Sequence, residues 1–128
     1  MHVRVWKFRP PFGGEEEFAS VYGPRGPWAE LFSQAAGYRG TSLLRPAEAD
    51  GWWLTLDHWH SLQDFERFQT ELRDQYQALD AMLEGVAGEE VFVGAFDETD
   101  LRLHLTGVRP AVPFVGAGAH HGGSVTCI

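Results

Sequence analysis

The residues best suited to chemistry lie in one stretch, from Gly51 to Phe68, with the sequence GWWLTLDHWHSLQDFERF. Its aromatic and branched residues are interspersed with polar ones, a pattern typical of a strand with two differently occupied faces. Trp59 would end this strand, where a planar substrate could stack on the indole ring and the indole N–H could hold an oxygen. The alternative is a rim aromatic that packs against Phe65 or against the first helix. We treat Trp59 as a candidate catalytic residue.

Two histidines flank this tryptophan. His58 and His60 would share one strand face, roughly 6.5 to 7 Å apart along the strand, a spacing that can place two imidazoles on one metal ion. A metal site needs a third or fourth ligand, and no nearby Cys, His and Asp constellation supplies one, so we predict no metal. His58 is instead a candidate general acid or base and His60 a candidate substrate-binding residue. Lining of the pocket or of the surface is the alternative for both.

The strand alternation also separates the stretch into two faces. One face would carry Trp53, Thr55, Asp57 and Trp59, and the other Trp52, Leu54, Leu56, His58 and His60. Asp57 lies between apolar positions, and a buried acid needs a partner. We expect it to lie in an interface or to pair with an arginine of another strand, the candidates being Arg4, Arg9, Arg39 and Arg45.

Further candidates for binding a substrate come from other parts of the chain. Tyr22, Tyr38 and Tyr76 are the phenols that could orient or deprotonate a substrate, and Tyr22 and Tyr76 are the two that we select. Arg25, in the GPRGP segment that interrupts the first helix, could attract an anionic or phenolate ligand. Trp53 completes the set. The alternatives are core packing for the aromatic residues and an exposed surface loop for Arg25.

These residues need elements to position them, and the pattern of apolar residues predicts strand, helix, strand, strand, helix, strand. The strands are predicted at 3–9, 38–45, 52–59 and 91–96, with 38–45 and 52–59 forming an antiparallel hairpin. Ser61, followed by Asp64, has the spacing of a helix cap, and one helix of about six turns follows from Leu62. Gly37 is predicted as a left-handed cap that closes the segment from Pro27. This order predicts an α+β sandwich with both helices on one sheet face.

Composition limits the functions that are compatible with the chain. With 128 residues, 44% of them hydrophobic, we expect one domain over residues 1–100 and a flexible tail over 101–128, with one short extra strand at 101–105. All 18 acidic residues but only 8 of the 10 basic ones lie at or before Asp100, so the predicted domain carries a net charge of −10. That charge argues against binding to nucleic acid or to an anionic membrane surface. No signal peptide or membrane span is evident, and we expect a cytoplasmic protein.

The segments YGPRGPWAELFSQAAGYRGTSLLR, LTLDHWHSLQDFERF and VFVGAF together resemble the antibiotic biosynthesis monooxygenase domain family. The resemblance covers roughly residues 1 to 97 and implies a ferredoxin-like βαββαβ sandwich that dimerises through its antiparallel sheet into an α/β barrel. It also implies a pocket between sheet and helices in each subunit. Of the Asn, Trp and His used by the haem-degrading members, only the Trp carries over, onto Trp59. The chain contains no Asn, and it has no His between His60 and His104.

Three functional hypotheses follow. The first is a homodimeric monooxygenase that needs no cofactor and promotes the reaction of a planar phenol or quinol, such as an aromatic polyketide, with oxygen. The second is a non-catalytic dimeric module that binds, stores or senses a small hydrophobic molecule, or that merely assembles. The third is a haem-binding or haem-degrading protein, as the resemblance implies for part of the family.

Overall fold

The structure is a computed structural model that describes residues 1–102, and the segment Met1–Glu98 forms one compact unit. Its elements follow the predicted order, with each helical region divided in two. In chain order they are β1 (His2–Arg9), α1 (Glu15–Tyr22), α2 (Pro27–Phe32), β2 (Tyr38–Leu44), β3 (Trp53–Trp59), α3 (Leu62–Glu71), α4 (Arg73–Met82) and β4 (Glu89–Asp97). Residues 101 and 102 form no strand, and the rest of the predicted strand at 101–105 lies outside the described residues.

The four strands form one antiparallel sheet in the order β2-β3-β1-β4. Strands β2 and β3 pair as the predicted hairpin, and β1 lies between β3 and β4. The register places Arg4 opposite Asp57 and His2 opposite Trp59. Because side chains directly opposite each other project to the same side of a sheet, these four residues share one face.

The helices cover that same face, which fulfils the prediction of an α+β sandwich. Phe18 of α1 is fully buried among a cluster that includes Phe8 and Trp53. A second cluster joins the helices that follow to the end of β3 and contains Trp28, Leu31, Trp59 and Phe68. Tyr22 packs against both clusters, so the space between them lies beneath the helices and above the centre of the sheet.

The predicted six-turn helix is wrong in one respect, because it breaks at Leu72 into α3 and α4. Leu72 has φ −114° and ψ 26°, outside the helical region, although the flanking hydrogen bonds from Leu72 N to Phe68 O and from Tyr76 N to Leu72 O still form at 2.9 Å. No proline or glycine lies between Leu62 and Met82. No local sequence signal therefore marks the break, and Leu72 itself packs against the second cluster.

Hydrogen bonds and close packing fix the junction between β3 and α3. The Ser61 hydroxyl accepts a hydrogen bond from the Asp64 backbone N–H at 3.1 Å, which confirms the predicted cap. Gly37 is not a left-handed cap, since α2 ends at Phe32 and Gly37 lacks a positive φ. It is needed because a Cβ there would collide with the Asp64 side chain. The His60 N–H donates to the Gly37 carbonyl at 2.8 Å, which ties the end of β3 to the start of β2.

Within residues 1–102, every helix is too short or too polar to cross a lipid bilayer.

Candidate active site

A cavity with two lobes lies between the helices and the covered face of the sheet. The first lobe has a volume of about 260 Å³ and the second about 550 Å³, a size range suited to small-molecule ligands. Four residues line both lobes: Trp6, Phe32, Asp57 and Tyr76. The first lobe also contains Phe8, Tyr22, Trp28, Ala29, Thr41, Thr55, Asp80 and Glu90. The second also contains Arg4, Trp59, Phe65, Phe68, Gln69, Thr70, Arg73 and Gln77.

Asp57 is the acidic side chain at the junction of the two lobes. The Asp57 side chain is partly exposed, and the exposed part faces the cavity. Protein atoms surround its carboxyl group as densely as they surround a group in the protein interior. Burial raises the pKa of Asp57 to about 6, against the opposing effects of a hydrogen bond from Thr41 and of the positive charge on Arg4. The Thr41 hydroxyl donates to Asp57 Oδ1 at 2.7 Å. A carboxylate with this pKa can accept a proton at neutral pH and return it.

Of the four candidate arginines, Arg4 lies opposite Asp57 in the β1–β3 pair, but the two side chains do not form the expected ion pair in the described structure. The Arg4 guanidinium lies 3.9 Å from the centre of the Phe65 ring and 4.9 Å from that of Phe92, and its Nη1 lies 3.4 Å from His2 Nε2. Within residues 1–102, no carboxylate is within 4.0 Å of this guanidinium. Burial lowers the pKa of Arg4, with Asp57 opposing that effect. Arg4 therefore brings to the second lobe a positive charge that has no direct ion pair in the described structure.

Trp59 is fully buried and lines the second lobe. Four aromatic rings surround its indole with centroid distances of 5.2 to 5.8 Å, contributed by Phe32, Tyr38, Phe65 and Phe68. Such ring pairs fix the orientation of an aromatic side chain. Trp59 therefore packs in the core, where it contacts Phe65, and it also borders the second lobe.

Both selected tyrosines line the cavity. Burial raises the pKa of Tyr22 to about 12, against the smaller opposing effect of the Trp28 indole nearby, and burial also raises the pKa of Tyr76. The Tyr76 ring packs against Trp28 with a centroid distance of 5.0 Å and an interplanar angle of 55°. The buried Trp28 Nε1–H has no acceptor of good hydrogen-bond geometry among the described residues. A bound ligand with an oxygen acceptor could satisfy this donor.

The structure does not bring the remaining predicted site residues into this cavity. His58 projects from the opposite face of the sheet, one residue away from Trp59 on β3, and burial lowers its pKa. His60 is mostly exposed, and its Nδ1 lies 3.0 Å from Asp64 Oδ2. Trp53 belongs to the first core cluster. Arg25 lies on the rim of a separate surface groove.

Neither the role of Asp57 as a candidate base nor that of Thr41 as its hydrogen-bond donor was predicted from the sequence. The signal for Asp57 was present, because the predicted alternation places it on the same face as Trp59. No local signal identified Thr41, since its contact with Asp57 depends on the pairing of two strands. Across residues 1–102, no three His, Cys, Asp or Glu side chains lie close enough together to hold a metal ion.

No protein-family profile matches the sequence, and no curated protein matches it. The fold is, however, shared with several solved structures. A mutant of SnoaB, a cofactor-independent oxygenase from Streptomyces nogalater, matches with a TM-score of 0.53 and 19% identity over 78% of this chain and 94% of that one. The monooxygenase ActVA-Orf6 from Streptomyces coelicolor, in complex with nanaomycin D, matches with a TM-score of 0.57 and 18% identity over 80% and 91%.

A haem degrader has the same fold. MhuD from Mycobacterium tuberculosis, with two haems bound in its active site, matches with a TM-score of 0.56 and 21% identity over 81% of this chain and 100% of that one. At these identities the similarity concerns the fold. It confirms at that level the resemblance to antibiotic biosynthesis monooxygenases and the ferredoxin-like architecture that the resemblance implied.

Proposed function

We propose that this chain, which has the antibiotic biosynthesis monooxygenase fold, oxidises a planar phenol or quinol with molecular oxygen and without a cofactor. The observation that carries the proposal is Asp57, a carboxyl group with a pKa of about 6 in a cavity walled by aromatic side chains. An aromatic cavity favours a planar substrate, and a base of this pKa favours one that must lose a proton before it reacts. The folds shared with two oxygenases support the same reaction class.

The first step is removal of the phenolic proton by the Asp57 carboxylate. The resulting phenolate places electron density on its para carbon, which transfers an electron to oxygen and then forms a carbon–oxygen bond to give a peroxide anion. This anion takes up a proton, and loss of water with the ring hydrogen leaves a quinone. One oxygen atom enters the product and the other leaves as water, so the phenol supplies all the electrons.

Arg4 would stabilise the phenolate. Once Asp57 has accepted the proton it is neutral, and the Arg4 guanidinium is then a positive charge facing the second lobe without an ion pair in the described structure. Fixed charges in an enclosed site stabilise developing charge more strongly than water does. Tyr22 and Tyr76 are proposed to hold the aromatic rings of the substrate, because both line the cavity. The fully buried Trp59 is proposed to fix the orientation of the Phe65 and Phe68 rings that line the second lobe. His58 has no part in this mechanism, because it lies on the other face of the sheet.

A homodimer belongs to the same proposal. Strand β4 is at the edge of the sheet and carries four large apolar side chains that are at least 40% exposed: Val91, Phe92, Val93 and Phe96. A long edge strand with exposed apolar residues is a suitable surface for association. Native mass spectrometry of protein purified without added ligand would test this and would also report any bound molecule. A bare monomer would contradict assembly through the sheet.

Oxygen consumption tests the reaction. With 1,5-dihydroxynaphthalene, a planar phenol with a free para position, we expect one molecule of oxygen to be consumed for each molecule of hydroxynaphthoquinone formed. Asp57→Asn should lose at least 100-fold in rate, within the range that general base catalysis contributes. Asp74→Asn is the matched control, since it removes an exposed carboxylate of α4 outside the cavity. Equal rates in the two variants would exclude Asp57 as the base.

Three further measurements distinguish the alternatives. Unchanged turnover in Trp59→Phe would remove the Trp59 indole from the mechanism. Recovery of an aromatic ligand unaltered after long aerobic incubation would support the binding module instead. A Soret band on titration with haem would support the haem-binding alternative, for which α3 and α4 offer no histidine ligand.

A further inference from the structure

A chain of hydrogen bonds leads from Asp57 out of the cavity. The Thr41 hydroxyl donates its one proton to Asp57 Oδ1 at 2.7 Å. Tyr38 Oη is also within hydrogen-bond distance of Thr41 Oγ1. Because the Thr41 proton is already donated to Asp57, the Tyr38 hydroxyl must be the donor in this second bond. The three side chains therefore form one continuous, oriented chain.

The far end of this chain reaches the surface. Thr41 lines both the first lobe of the cavity and a separate open groove of about 400 Å³, and Tyr38 lines the groove but neither lobe of the cavity. The other residues of this groove are Pro24, Arg25, Gly26, Ala29, Glu30, Ser33 and Gly40. The hydroxyl groups of Thr41 and Tyr38 thus connect a carboxyl group inside the cavity with a surface groove between α2 and the edge strand β2.

A local irregularity of β2 makes this arrangement possible. Tyr38 and Thr41 are three positions apart, so in a regular strand they would project to opposite faces. The β2–β3 register shifts between Tyr38 and Gly40, which places Tyr38 opposite Trp59 and Thr41 opposite Asp57, both on the helix face. Gly40 has a φ of +137°, a conformation that other residues rarely adopt. Such bulges redirect side chains next to active sites.

We propose that Thr41 and Tyr38 form a proton relay through which Asp57 exchanges its proton with solvent in the groove. This inference rests on the proposed function, in which Asp57 receives the proton of the substrate. A substrate that fills the cavity keeps water away from Asp57, so the base needs another route to solvent. The relay supplies that route without opening the cavity.

The proton transfers balance. When Asp57 is protonated it donates to Thr41 Oγ1, Thr41 donates to Tyr38 Oη, and Tyr38 releases its own proton to water, so each O–H bond broken is matched by one formed. Later in turnover the proton moves inward along the resting hydrogen bonds: Tyr38 donates to Thr41 and regains a proton from water, Thr41 donates to Asp57, and Asp57 donates to the peroxide anion. One proton leaves and one returns. The other ionisable groups that interact with Asp57 are Arg4 on β1 and Tyr76 on α4, and neither is hydrogen-bonded to it in the described structure.

The test measures proton exchange at Asp57 directly in protein saturated with 1,5-dimethoxynaphthalene, the dimethyl ether of the assay phenol, which fills the cavity as a substrate would but has no proton to lose. The carbonyl stretch of the protonated carboxyl group is followed by time-resolved infrared spectroscopy after a light-triggered pH jump, and the band is assigned by its loss in Asp57→Asn. We expect at least tenfold slower protonation in Thr41→Val and in Tyr38→Phe. Imidazole added as a small diffusible acid should restore the rate in Tyr38→Phe, which a merely structural role would not produce.

Matched variants control for packing. Thr41→Ser keeps the relay hydroxyl and should exchange at the wild-type rate. Ser33→Ala removes another hydroxyl from the groove, one that donates to the Glu30 carbonyl instead of to Tyr38 or Thr41, and should also exchange at the wild-type rate. Tyr38→Phe keeps the ring that packs on Phe32 and Trp59, and circular dichroism verifies its fold.

Two results would overturn the relay: wild-type exchange in both Thr41→Val and Tyr38→Phe, or slower exchange that imidazole does not restore. Because the measurement uses neither oxygen nor a phenol, its outcome is independent of the oxygen-consumption assay. A failed relay with active oxygen uptake would leave Asp57 as the base with another route to solvent. A working relay without oxygen uptake would leave the relay in place and refute the reaction.

Discussion

Replacement of Asp57 by Asn should stabilise the protein, and by more at high pH than at low pH. Asn has nearly the same shape and can still accept the hydrogen bond from Thr41, but it never carries a charge. The native protein at high pH must keep a carboxylate in a site that raises its pKa from 3.8 to about 6. A group whose pKa is raised on folding stabilises the fold most fully below its unfolded pKa, and this contribution is lost as the pH rises through about 6.

The size of the effect follows from the two pKa values. At 1.36 kcal/mol per pKa unit, the difference between 3.8 and about 6 corresponds to about 3 kcal/mol over the full titration. Between pH 8 and pH 5, only part of that titration takes place, and the linkage relation yields about 1.4 kcal/mol. The advantage of Asp57→Asn over the wild type in the free energy of unfolding should therefore be about 1.4 kcal/mol larger at pH 8 than at pH 5.

Urea unfolding followed by the fluorescence of the five tryptophans measures this difference. The comparison needs four curves, for wild type and variant at each pH, and equal urea dependence within each pair. Asp74→Asn controls for the loss of one negative charge from an acidic protein. An Asp57→Asn advantage that is the same at pH 8 and pH 5 would refute the raised pKa, and with it the reason for choosing Asp57 as the base.

Three further outcomes are expected. Oxygen consumption should rise with pH through a midpoint near 6 and then level off, because Asp57 must be ionised to accept the phenolic proton; a flat profile between pH 5 and pH 8 would contradict this. Ser61→Ala should lower the free energy of unfolding by about 1 kcal/mol, since the Asp64 N–H at the start of α3 loses its acceptor, and an unchanged urea midpoint would show that the cap contributes nothing. Gly37→Ala should cost about 1 to 3 kcal/mol in the same assay, because its Cβ would displace the Asp64 side chain, whereas wild-type stability would mean that this contact relaxes freely.

Much of the covered sheet face could be predicted from local sequence. The alternation of β3 assigned Thr55, Asp57 and Trp59 to one face, and the observed register confirms that assignment. The Ser61 cap was also predictable, because it depends on groups three residues apart. Periodicity and capping are short-range properties of the chain, so the order of strands and helices can be inferred without knowing which strands meet.

The site itself was decided by contacts between distant residues. Only the sheet register selects Arg4 as the arginine opposite Asp57, and only the covering helices decide that this face, rather than that of His58, encloses the cavity.

The irregularities likewise depend on tertiary structure. The break at Leu72 occurs without a helix-breaking residue, and the bulge that places Tyr38 beside Thr41 exists only in the pairing of β2 with β3. The sequence by itself therefore determined which elements form and which side chains share a strand face. Long-range strand pairing and packing decided which of those side chains meet, because the free energy of these contacts depends on partners far away in the chain.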